Sequence, residues 1–301
     1  MLTIFSIPKP FEGHNGLIQR NAITSWLALE PPPEIILVGR EAGIEDVVRE
    51  FGLRWLPDIE RTAQGTPLLG DAFRRVATQA RFPLLCYVNC DIIFNQSLIT
   101  TAGRLERARY LAVGRRTNVD LTHSVTAAEL HDAAFMGNLA AAGQLETPFA
   151  VDYFLFPACP ELSEIPPFAV GRPGWDNWMI YRAISQRLPV IDVTAGVLAL
   201  HQNHSYQHVP MQRGGAWEGP EANYNRRLAG SPVRLKYSML DATHRFFPQR
   251  GLVAVASGFS GWLKRHIADH PQRRWPLEIL GYPWLKLERM RRRRLKKRGY
   301  S

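Results

Sequence analysis

Residues 83–94 read PLLCYVNCDIIF, an apolar run that is broken by polar side chains and then resumes. A short, almost wholly apolar run is typical of a strand that is buried on both faces of a sheet. The break falls at Asn89 and Asp91, which lie two positions apart and therefore on the same side of an extended chain. We predict a buried strand whose carboxyl end carries an amide and a carboxylate. An Asx turn that closes the strand is the alternative explanation.

Similar short apolar runs recur toward the N-terminus and alternate with helical patterns. Strands are predicted at Leu2–Ile7, Glu34–Val38 and Leu53–Trp55, and helices at Gly16–Leu29, Gly43–Phe51 and Pro67–Ala80. This alternation indicates an α/β fold with a mostly parallel central sheet and helices on both of its faces. Ligands of such sheets bind beyond the carboxyl ends of the strands, so the polar residues that follow each strand are candidates for a site.

The pattern is looser in the second half of the chain. Strands are predicted at Tyr110–Val113, at Ala150–Phe156 and within Val190–Leu200, and a helix at Trp175–Ser185. His201–Asn225 is rich in Gly, His, Asn and Gln, and we predict an irregular loop there.

Charge is distributed unevenly along the chain. The net charge is +10, from 37 Lys and Arg against 27 Asp and Glu. Residues 246–301 hold 14 of these basic residues and 3 of the acidic ones, which leaves 23 and 24 for residues 1–245. We therefore predict a nearly neutral α/β body over residues 1–245 and a basic, Trp-containing helical extension over residues 246–301.

The predicted extension combines aromatic and basic side chains. It contains Trp262, Trp275 and Trp284, and eight basic residues lie between Arg289 and Arg298. Aromatic residues beside a basic run suit an anionic membrane surface. A solvated tail and a nucleic-acid partner are the alternatives, and the neutral body disfavours nucleic acid.

Cysteine spacing and hydropathy indicate the cellular compartment of the protein. Cys86, Cys90 and Cys159 form neither a CxxC pair nor an even framework, so neither structural zinc nor a disulfide scaffold is expected. The first residues lack the pattern of a signal peptide, and the longest uncharged apolar stretches fall short of the roughly 20 residues of a membrane span. We expect a cytoplasmic protein, peripheral to the inner face of the membrane if the extension binds lipid.

The first 100 or so residues resemble a known superfamily. The opening strand, the segment Val38–Glu41, the helix at Gly70–Ala80 and the strand that ends at Asp91 are similar to those of the nucleotide-diphospho-sugar transferases, the GT-A glycosyltransferases. The resemblance implies that Asp91 binds a divalent ion, Mn²⁺ or Mg²⁺, together with the diphosphate of a nucleotide-sugar donor, with a UDP-sugar favoured. The family usually has Asp-x-Asp here. Because Asn89 takes the first place, Asp91 is left as the carboxylate ligand, and Asn89 contributes a neutral oxygen or binds a sugar hydroxyl.

The resemblance also places the nucleoside. It implies that Pro8, after the first strand, and Glu41 line the nucleobase and ribose pocket. A carboxylate such as Glu41 can accept hydrogen bonds from a base N–H or from ribose hydroxyls, and an exposed charge before a helix is the alternative. Arg115, Arg116 and Arg172 are candidate diphosphate clamps because a guanidinium matches phosphate oxygens in a bidentate manner. Solvated surface charges are the alternative for each.

A second group of functional candidates lies in residues 168–178, FAVGRPGWDNW. A carboxylate beside indoles is desolvated, which raises its pKa toward that of a general base, so Asp176 is the candidate base for the acceptor hydroxyl. Trp175 and Trp178 are predicted to stack on acceptor sugars, with Asn177 between them as a further acceptor contact. The alternative is that Asp176 only caps a helix and both tryptophans belong to the core. Asp152 is a rival carboxylate.

Residues 201–208, HQNHSYQH, place three histidines directly after an apolar strand. Some members of the resembling superfamily complete the metal site with a late histidine, which implies that His201 or His204 is a metal ligand. A polar loop without a metal is the alternative, and a zinc site is disfavoured by the spacing.

We therefore predict a glycosyltransferase that moves a sugar from a nucleotide-diphosphate donor to a hydroxyl of a glycan or lipid-linked acceptor. Two rivals stay open. One is a nucleotidyltransferase that makes sugar nucleotides. The other is a catalytically inactive glycan-binding or scaffold module at the membrane. Asn89, in place of the family's first aspartate, is compatible with this second function.

Overall fold

The computed structural model describes residues 1–105, 107–204, 217–256 and 258–270, and five single residues beyond them: Pro283, Lys286, Leu287, Met290 and Arg294. Within these residues the strands are β1 (Leu2–Ser6), β2 (Glu34–Val38), β3 (Arg54–Leu56), β4 (Leu84–Val88), β5 (Ile92–Phe94), β6 (Leu111–Val113), β7 (Thr117–Val119), β8 (Gln144–Leu145), β9 (Tyr153–Pro157), β10 (Val190–Asp192), β11 (Ala199–Gln202), β12 (His244–Phe247) and β13 (Gly251–Ala254). The α-helices are α1 (Gly13–Leu27), α2 (Ile44–Phe51), α3 (Leu69–Gln79), α4 (Ser97–Ala102), α5 (Ala127–His131), α6 (Ala133–Ala142), α7 (Pro160–Ser163), α8 (Trp175–Ser185), α9 (Pro220–Ala229) and α10 (Phe259–Asp269). Two short 3-10 helices span Arg234–Lys236 and Met239–Asp241.

The central sheet has nine strands in the described chain, in the order β13-β12-β10-β6-β9-β4-β1-β2-β3. Strands β3, β2, β1 and β4 are parallel neighbours, and so are β6, β10 and β12. Strand β9 runs antiparallel between β4 and β6, and β13 closes the far edge antiparallel to β12. The predicted fold class, a mostly parallel α/β sheet, is confirmed.

Helices cover both faces of this sheet, as predicted. One core contains Phe73 of α3 and Met179 of α8, and the opposite core contains Trp26 of α1 and Val47 of α2. The strands supply both cores because their side chains alternate: Phe5 enters the first and Ile4 the second. The continuous apolar runs in the sequence are explained by this burial on both faces.

A second, smaller sheet lies beyond the carboxyl end of β4. Its order is β5-β11-β7-β8, with β11 antiparallel to β5 and parallel to β7. Residues 89–91 form the link between β4 of the large sheet and β5 of the small one, and Ile92 N–H donates to the Asn89 carbonyl at 3.2 Å. Asp91 therefore stands where the chain passes from one sheet to the other.

Two sequence predictions are corrected by the structure. The region His201–Asn225 is not wholly irregular, since β11 extends to Gln202 and α9 begins at Pro220. Proline at the first position of a helix and glycine after its last are favourable, and α9 has Pro220 and Gly230 in these places, the latter with φ +74°. The strand predicted from Ala150 begins only at Tyr153. His208 lies outside the described residues.

The chain beyond residue 245 contributes to the body. The predicted boundary at 245/246 falls inside β12, and Leu263 and Ile267 of α10 are buried in the core beside α8. A basic extension therefore stays a prediction only for residues after 270. Trp275, Trp284 and most of the basic run lie outside the described residues. No helix within the described residues is long and apolar enough to cross a membrane.

Candidate functional site

Three parallel strands bring polar residues to one edge of the central sheet. Lys9 follows β1, Glu41 follows β2 and Asp91 follows β4, and these strands are adjacent. Because parallel strands end on the same edge, residues distant in sequence meet there. Lys9 Nζ lies 3.9 Å from Asp91 Oδ2 and 3.3 Å from His204 Nε2.

Asp91 forms a cluster with two histidines. Its Oδ2 atom lies 3.2 Å from His204 Nε2 and 3.8 Å from His201 Nε2, and one ligand atom from each residue falls within 4.8 Å of the others. The small sheet explains this, since β11 pairs His201 with Ile92, the residue after Asp91. His204 follows two residues after β11 ends. The sequence-predicted candidates Asp91, His201 and His204 are thus brought together.

Electrostatics favour the ligand forms of these groups. Burial alone raises the pKa of Asp91, but the hydrogen bond from His204 and the nearby His201 and Lys9 lower it to about 2. Burial lowers the pKa of His201 to about 4, against the opposing pull of Asp91. At neutral pH the carboxylate is ionised and this imidazole is neutral, the states in which both coordinate metals.

Two buried atoms of the cluster have no hydrogen-bond partner within the described residues. They are Asp91 Oδ1 and His201 Nδ1. Buried polar atoms are nearly always satisfied, so an unpartnered carboxylate oxygen points to a ligand. Ligand atoms around a first-row divalent ion lie about 3–3.5 Å apart, close to the separations here. The residues therefore fit a divalent metal. Two imidazoles and one carboxylate suit Mn²⁺ or another transition metal better than Mg²⁺, which prefers oxygen ligands.

A second carboxylate adjoins the cluster. Asp152, just before β9, accepts a hydrogen bond from Asn89 Nδ2 at 2.8 Å and forms an ion pair with Arg116. Burial raises the pKa of Asp152, Arg116 opposes this, and the charge of Asp91 adds to the rise. Its Oδ2 atom is buried with no partner within the described residues. The amide of Asn89 is thus used to hold Asp152.

Asp176 lies half-buried in the first turn of α8, which begins after Gly174 at φ +99°. Burial raises the pKa of Asp176 to about 6; backbone N–H groups at the helix start oppose the rise, and the charge of Asp152 adds to it. A carboxyl group with a pKa near 6 exchanges protons readily near neutrality.

The other members of the second sequence group are structural. Trp175 packs edge-on to Tyr87 at 5.2 Å and lies near Phe154 at 5.0 Å, and Trp178 packs against Phe168 at 5.4 Å. Both indoles are buried, so core packing accounts for them, and their stacking on acceptor sugars stays a prediction. Asn177 Nδ2 donates to the Tyr237 carbonyl at 2.6 Å. Its amide holds a loop in place.

Glu41 remains compatible with the predicted nucleoside pocket. Its Oε1 atom pairs with Arg61 at 3.0 Å, while its buried Oε2 atom has no hydrogen-bond partner among the residues described. Pro8 is buried at the end of β1. The pocket itself stays a prediction.

Two of the three predicted arginine clamps are engaged elsewhere. The Arg115 guanidinium donates to the Glu146 carbonyl, and Arg172 forms an ion pair with Glu221 at 2.8 Å. Their role toward a diphosphate stays a prediction. The basic residues that do reach the carboxylates are Lys9, beside Asp91, and Arg116, beside Asp152. Arg116 is the third predicted clamp, and Lys9 directly follows Pro8 in the segment after β1, where ligands of such sheets bind.

Among solved structures, the chain is similar to several that bind UDP. TarS 1-349 of S. aureus is 11% identical with a TM-score of 0.39, and the match covers 68% of this chain but only 59% of that one. TarS 1-349 in complex with UDP-GlcNAc is 11% identical, with 80% and 74% covered and a TM-score of 0.43. Glucosyl-3-phosphoglycerate synthase of Mycobacterium tuberculosis, in complex with Mn²⁺, UDP and phosphoglyceric acid, is 13% identical, with 86% and 87% covered and a TM-score of 0.44.

No family model and no curated protein matches the sequence. With structural scores and identities this low, the function of the chain has to be argued from its own residues.

Proposed function

We propose that the chain is a metal-assisted glycosyltransferase that moves a sugar from a nucleoside-diphosphate donor to an acceptor hydroxyl. The observation that carries this proposal is the cluster of Asp91, His201 and His204 at the carboxyl edge of the sheet, with a buried, unpartnered Asp91 oxygen. The resemblance of residues 1–100 to nucleotide-sugar enzymes suggests which ligand such an edge would take.

Asp91, His201 and His204 would hold the ion, which supplies positive charge beside the departing diphosphate. The chain adds its own charge, because Lys9 Nζ lies within 4 Å of both Asp91 and His204. Groups fixed in place before the reaction stabilise developing negative charge without reorganising. Lys9 is therefore assigned to the phosphate side of the site.

Asp176 would accept the proton of the attacking hydroxyl if the reaction inverts the anomeric configuration of the sugar. Its pKa near 6 leaves it mostly ionised at neutral pH yet basic enough to take a proton. The charge of Asp152 acts on Asp176, and the charge of Asp91 acts on Asp152. Arg116 and Asn89 hold it, so it is assigned to orienting substrate hydroxyls.

The substrate classes follow from the same residues. A UDP-sugar is the favoured donor, with Glu41 Oε2 accepting from the nucleoside, and the acceptor is a glycan or a lipid-linked glycan. The cytoplasm is the proposed compartment, which the three buried free thiols, Cys86, Cys90 and Cys159, support.

The decisive experiment measures nucleoside-diphosphate release from a panel of UDP-, GDP- and dTDP-sugars, with Mn²⁺, with Mg²⁺ or with EDTA. We expect release with Mn²⁺ and its loss in EDTA and in Asp91→Asn. The control Asp46→Asn removes an exposed carboxylate on α2 and should behave as the unaltered chain. Undiminished release from Asp91→Asn in EDTA contradicts the mechanism.

The two rival functions give different results in this assay. Release of pyrophosphate from a nucleoside triphosphate and a sugar phosphate identifies a nucleotidyltransferase. Binding of a sugar nucleotide without turnover, under every metal, identifies an inactive binding module.

A further inference from the structure

Exposed apolar side chains are concentrated near the C-terminus. Eight large hydrophobic side chains are exposed within the described residues, and five of them lie at residue 253 or later: Val253, Phe259, Trp262, Leu287 and Met290. Single exposed apolar residues are ordinary on a protein surface, but exposed side chains that lie together, as Phe259 and Trp262 do, mark a candidate contact surface.

Helix α10 divides this region into an inner and an outer face. Leu263, Ile267 and Ala268 of its inner face are buried in the core. Lys264, also buried, forms an ion pair with Asp241 at 2.7 Å and donates to the Lys236 carbonyl at 2.9 Å. These contacts fix the rotation of the helix, so its outer face has a defined direction.

The outer face of α10 carries a row of stacked rings. Phe259 and Trp262 are 49% and 48% exposed, and their ring centroids are 5.5 Å apart. Trp262 stacks on His266 at 5.3 Å, and His266 on His270 at 4.5 Å. We call Phe259, Trp262, His266 and His270 the α10 ring row. It is a preordered surface because each ring limits the motion of the next.

The chain that follows α10 is strongly basic. Residues 271–301 contain 11 Lys and Arg against 2 Asp and Glu, whereas residues 1–245 are nearly neutral. The ring row therefore lies at the point where the neutral body passes into the cationic segment. A partner that covers both must offer an apolar boundary and negative charge together.

We propose that the α10 ring row docks on an anionic phospholipid surface, with residues 271–301 supplying the electrostatic attraction. Trp and Phe partition to the boundary between headgroups and acyl chains. Stable peripheral binding generally needs two signals, and here aromatic insertion and a basic segment are adjacent in the chain. The inference does not depend on the chemistry at Asp91.

Nucleic acid fits these features less well than lipid does. Aromatic rings that stack on bases usually line a basic groove on the folded domain. The ring row instead borders a nearly neutral body, and the positive charge lies in the chain after it. Nucleic-acid binding is therefore an outcome to be excluded by experiment.

The test is co-sedimentation of the full chain with vesicles of phosphatidylcholine alone or with added phosphatidylglycerol. We expect binding only to the anionic vesicles, weakened by salt. The double variant Phe259→Ser/Trp262→Ser should bind at least about tenfold more weakly, since it removes two rings from the contact. Trp217→Ser is the matched control, because Trp217 is 69% exposed but belongs to a different part of the chain.

Four outcomes would overturn the proposal. They are equal binding to neutral and anionic vesicles, equal binding by the double variant, equal loss in Trp217→Ser, and tight binding of duplex DNA or RNA without vesicle binding. A thermal melt of the double variant that matches the unaltered chain shows that lost binding is not lost folding. Asp91→Asn should bind vesicles normally, so failure here and failure of the proposed enzyme activity are distinguishable.

Discussion

The carboxyl edge of the sheet at Asp91 and the start of α8 were both predicted as functional, yet the polar groups of the two regions differ in their hydrogen bonding. At the edge, buried oxygen and nitrogen atoms of Asp91, Asp152 and His201 lack partners within the described residues. At the start of α8, Trp175 lies in an aromatic core and Asn177 is hydrogen-bonded to a backbone carbonyl. Among these residues, unmet hydrogen-bonding capacity thus distinguishes the candidate ligand site from the packed helix start, although both look alike in sequence.

Asp176 is the exception within α8. It shares a helical turn with the packed residues, but burial raises its pKa, and the charge of Asp152 at the edge adds to the rise. The first turn of α8 therefore contains residues of both kinds. Substitution of its packed residues should affect stability, whereas substitution of Asp176 should affect activity.

The largest expected effect is on stability. Trp175→Ala should lower the free energy of unfolding by about 3–5 kcal/mol, because it leaves a cavity among Phe73, Tyr87 and Phe154. Denaturant unfolding measures this, with the exposed Trp217→Ala as a control expected to stay within about 0.5 kcal/mol. If the variant unfolds like the unaltered chain but loses activity, the result would support the predicted role of Trp175 as an acceptor contact.

The converse is expected at the edge. Asp91→Asn should lower the rate of transfer on the order of a hundred- to a thousandfold while changing the unfolding free energy far less than Trp175→Ala does. The amide keeps the size of the side chain and removes a buried charge together with the pair it makes with His204. Activity and unfolding are measured on the same preparation, and a loss of both in parallel would erase the contrast between the regions.

A smaller effect is expected on metal affinity. His204→Ala should weaken Mn²⁺ binding by about ten- to a hundredfold, and Mg²⁺ should bind weakly both before and after the change. Titration calorimetry measures both ions. The control is His131→Ala, since His131 is exposed and bonds to the Ala28 carbonyl. Equal affinities for Mn²⁺ and Mg²⁺ would mean that the imidazoles are not ligands.

The smallest effect concerns pH. The pKa of Asp176 is raised to about 6, so its carboxylate is ionised above that pH and protonated below it. As a general base it works only when ionised, and kcat/KM should fall about tenfold per pH unit below pH 6 and level off above it. Asp176→Asn should remove this acidic limb along with most of the activity. An unchanged limb would assign the base to Asp152.

The parts of the fold set by local patterns were predictable from sequence. The apolar runs of β1, β2 and β4 give their limits to within one or two residues, because burial on both faces requires continuous apolar side chains. The polar ends of the same strands gave Asn89, Asp91 and Glu41. Position after a strand, rather than residue type, carried that information.

Contacts between distant segments were not predictable. Nothing in the apolar run Tyr153–Pro157 tells that it lies antiparallel between β4 and β6, since an apolar run specifies burial but not its partner. The approach of Lys9 to His204, 195 positions away, depends on the pairing of β1 with β4 and of β11 with β5, which the apolar runs do not specify either. The roles of Trp175 and Trp178 were not predictable either, because indoles beside a carboxylate occur both in sugar sites and in cores.

Because the small sheet sets the position of His201, the candidate metal site is sensitive to insertions and deletions in β11. His201 is in register with both Ile92 and Asn118, so its distance from Asp91 is set by strand pairing on two sides. A one-residue shift of β11 against its neighbours would turn His201 away from Asp91 and bring a side chain from the opposite face of the strand into its place. In evolution, the candidate metal site could therefore be lost or regained through a single change of length in β11, a four-residue strand, without changes elsewhere in the domain.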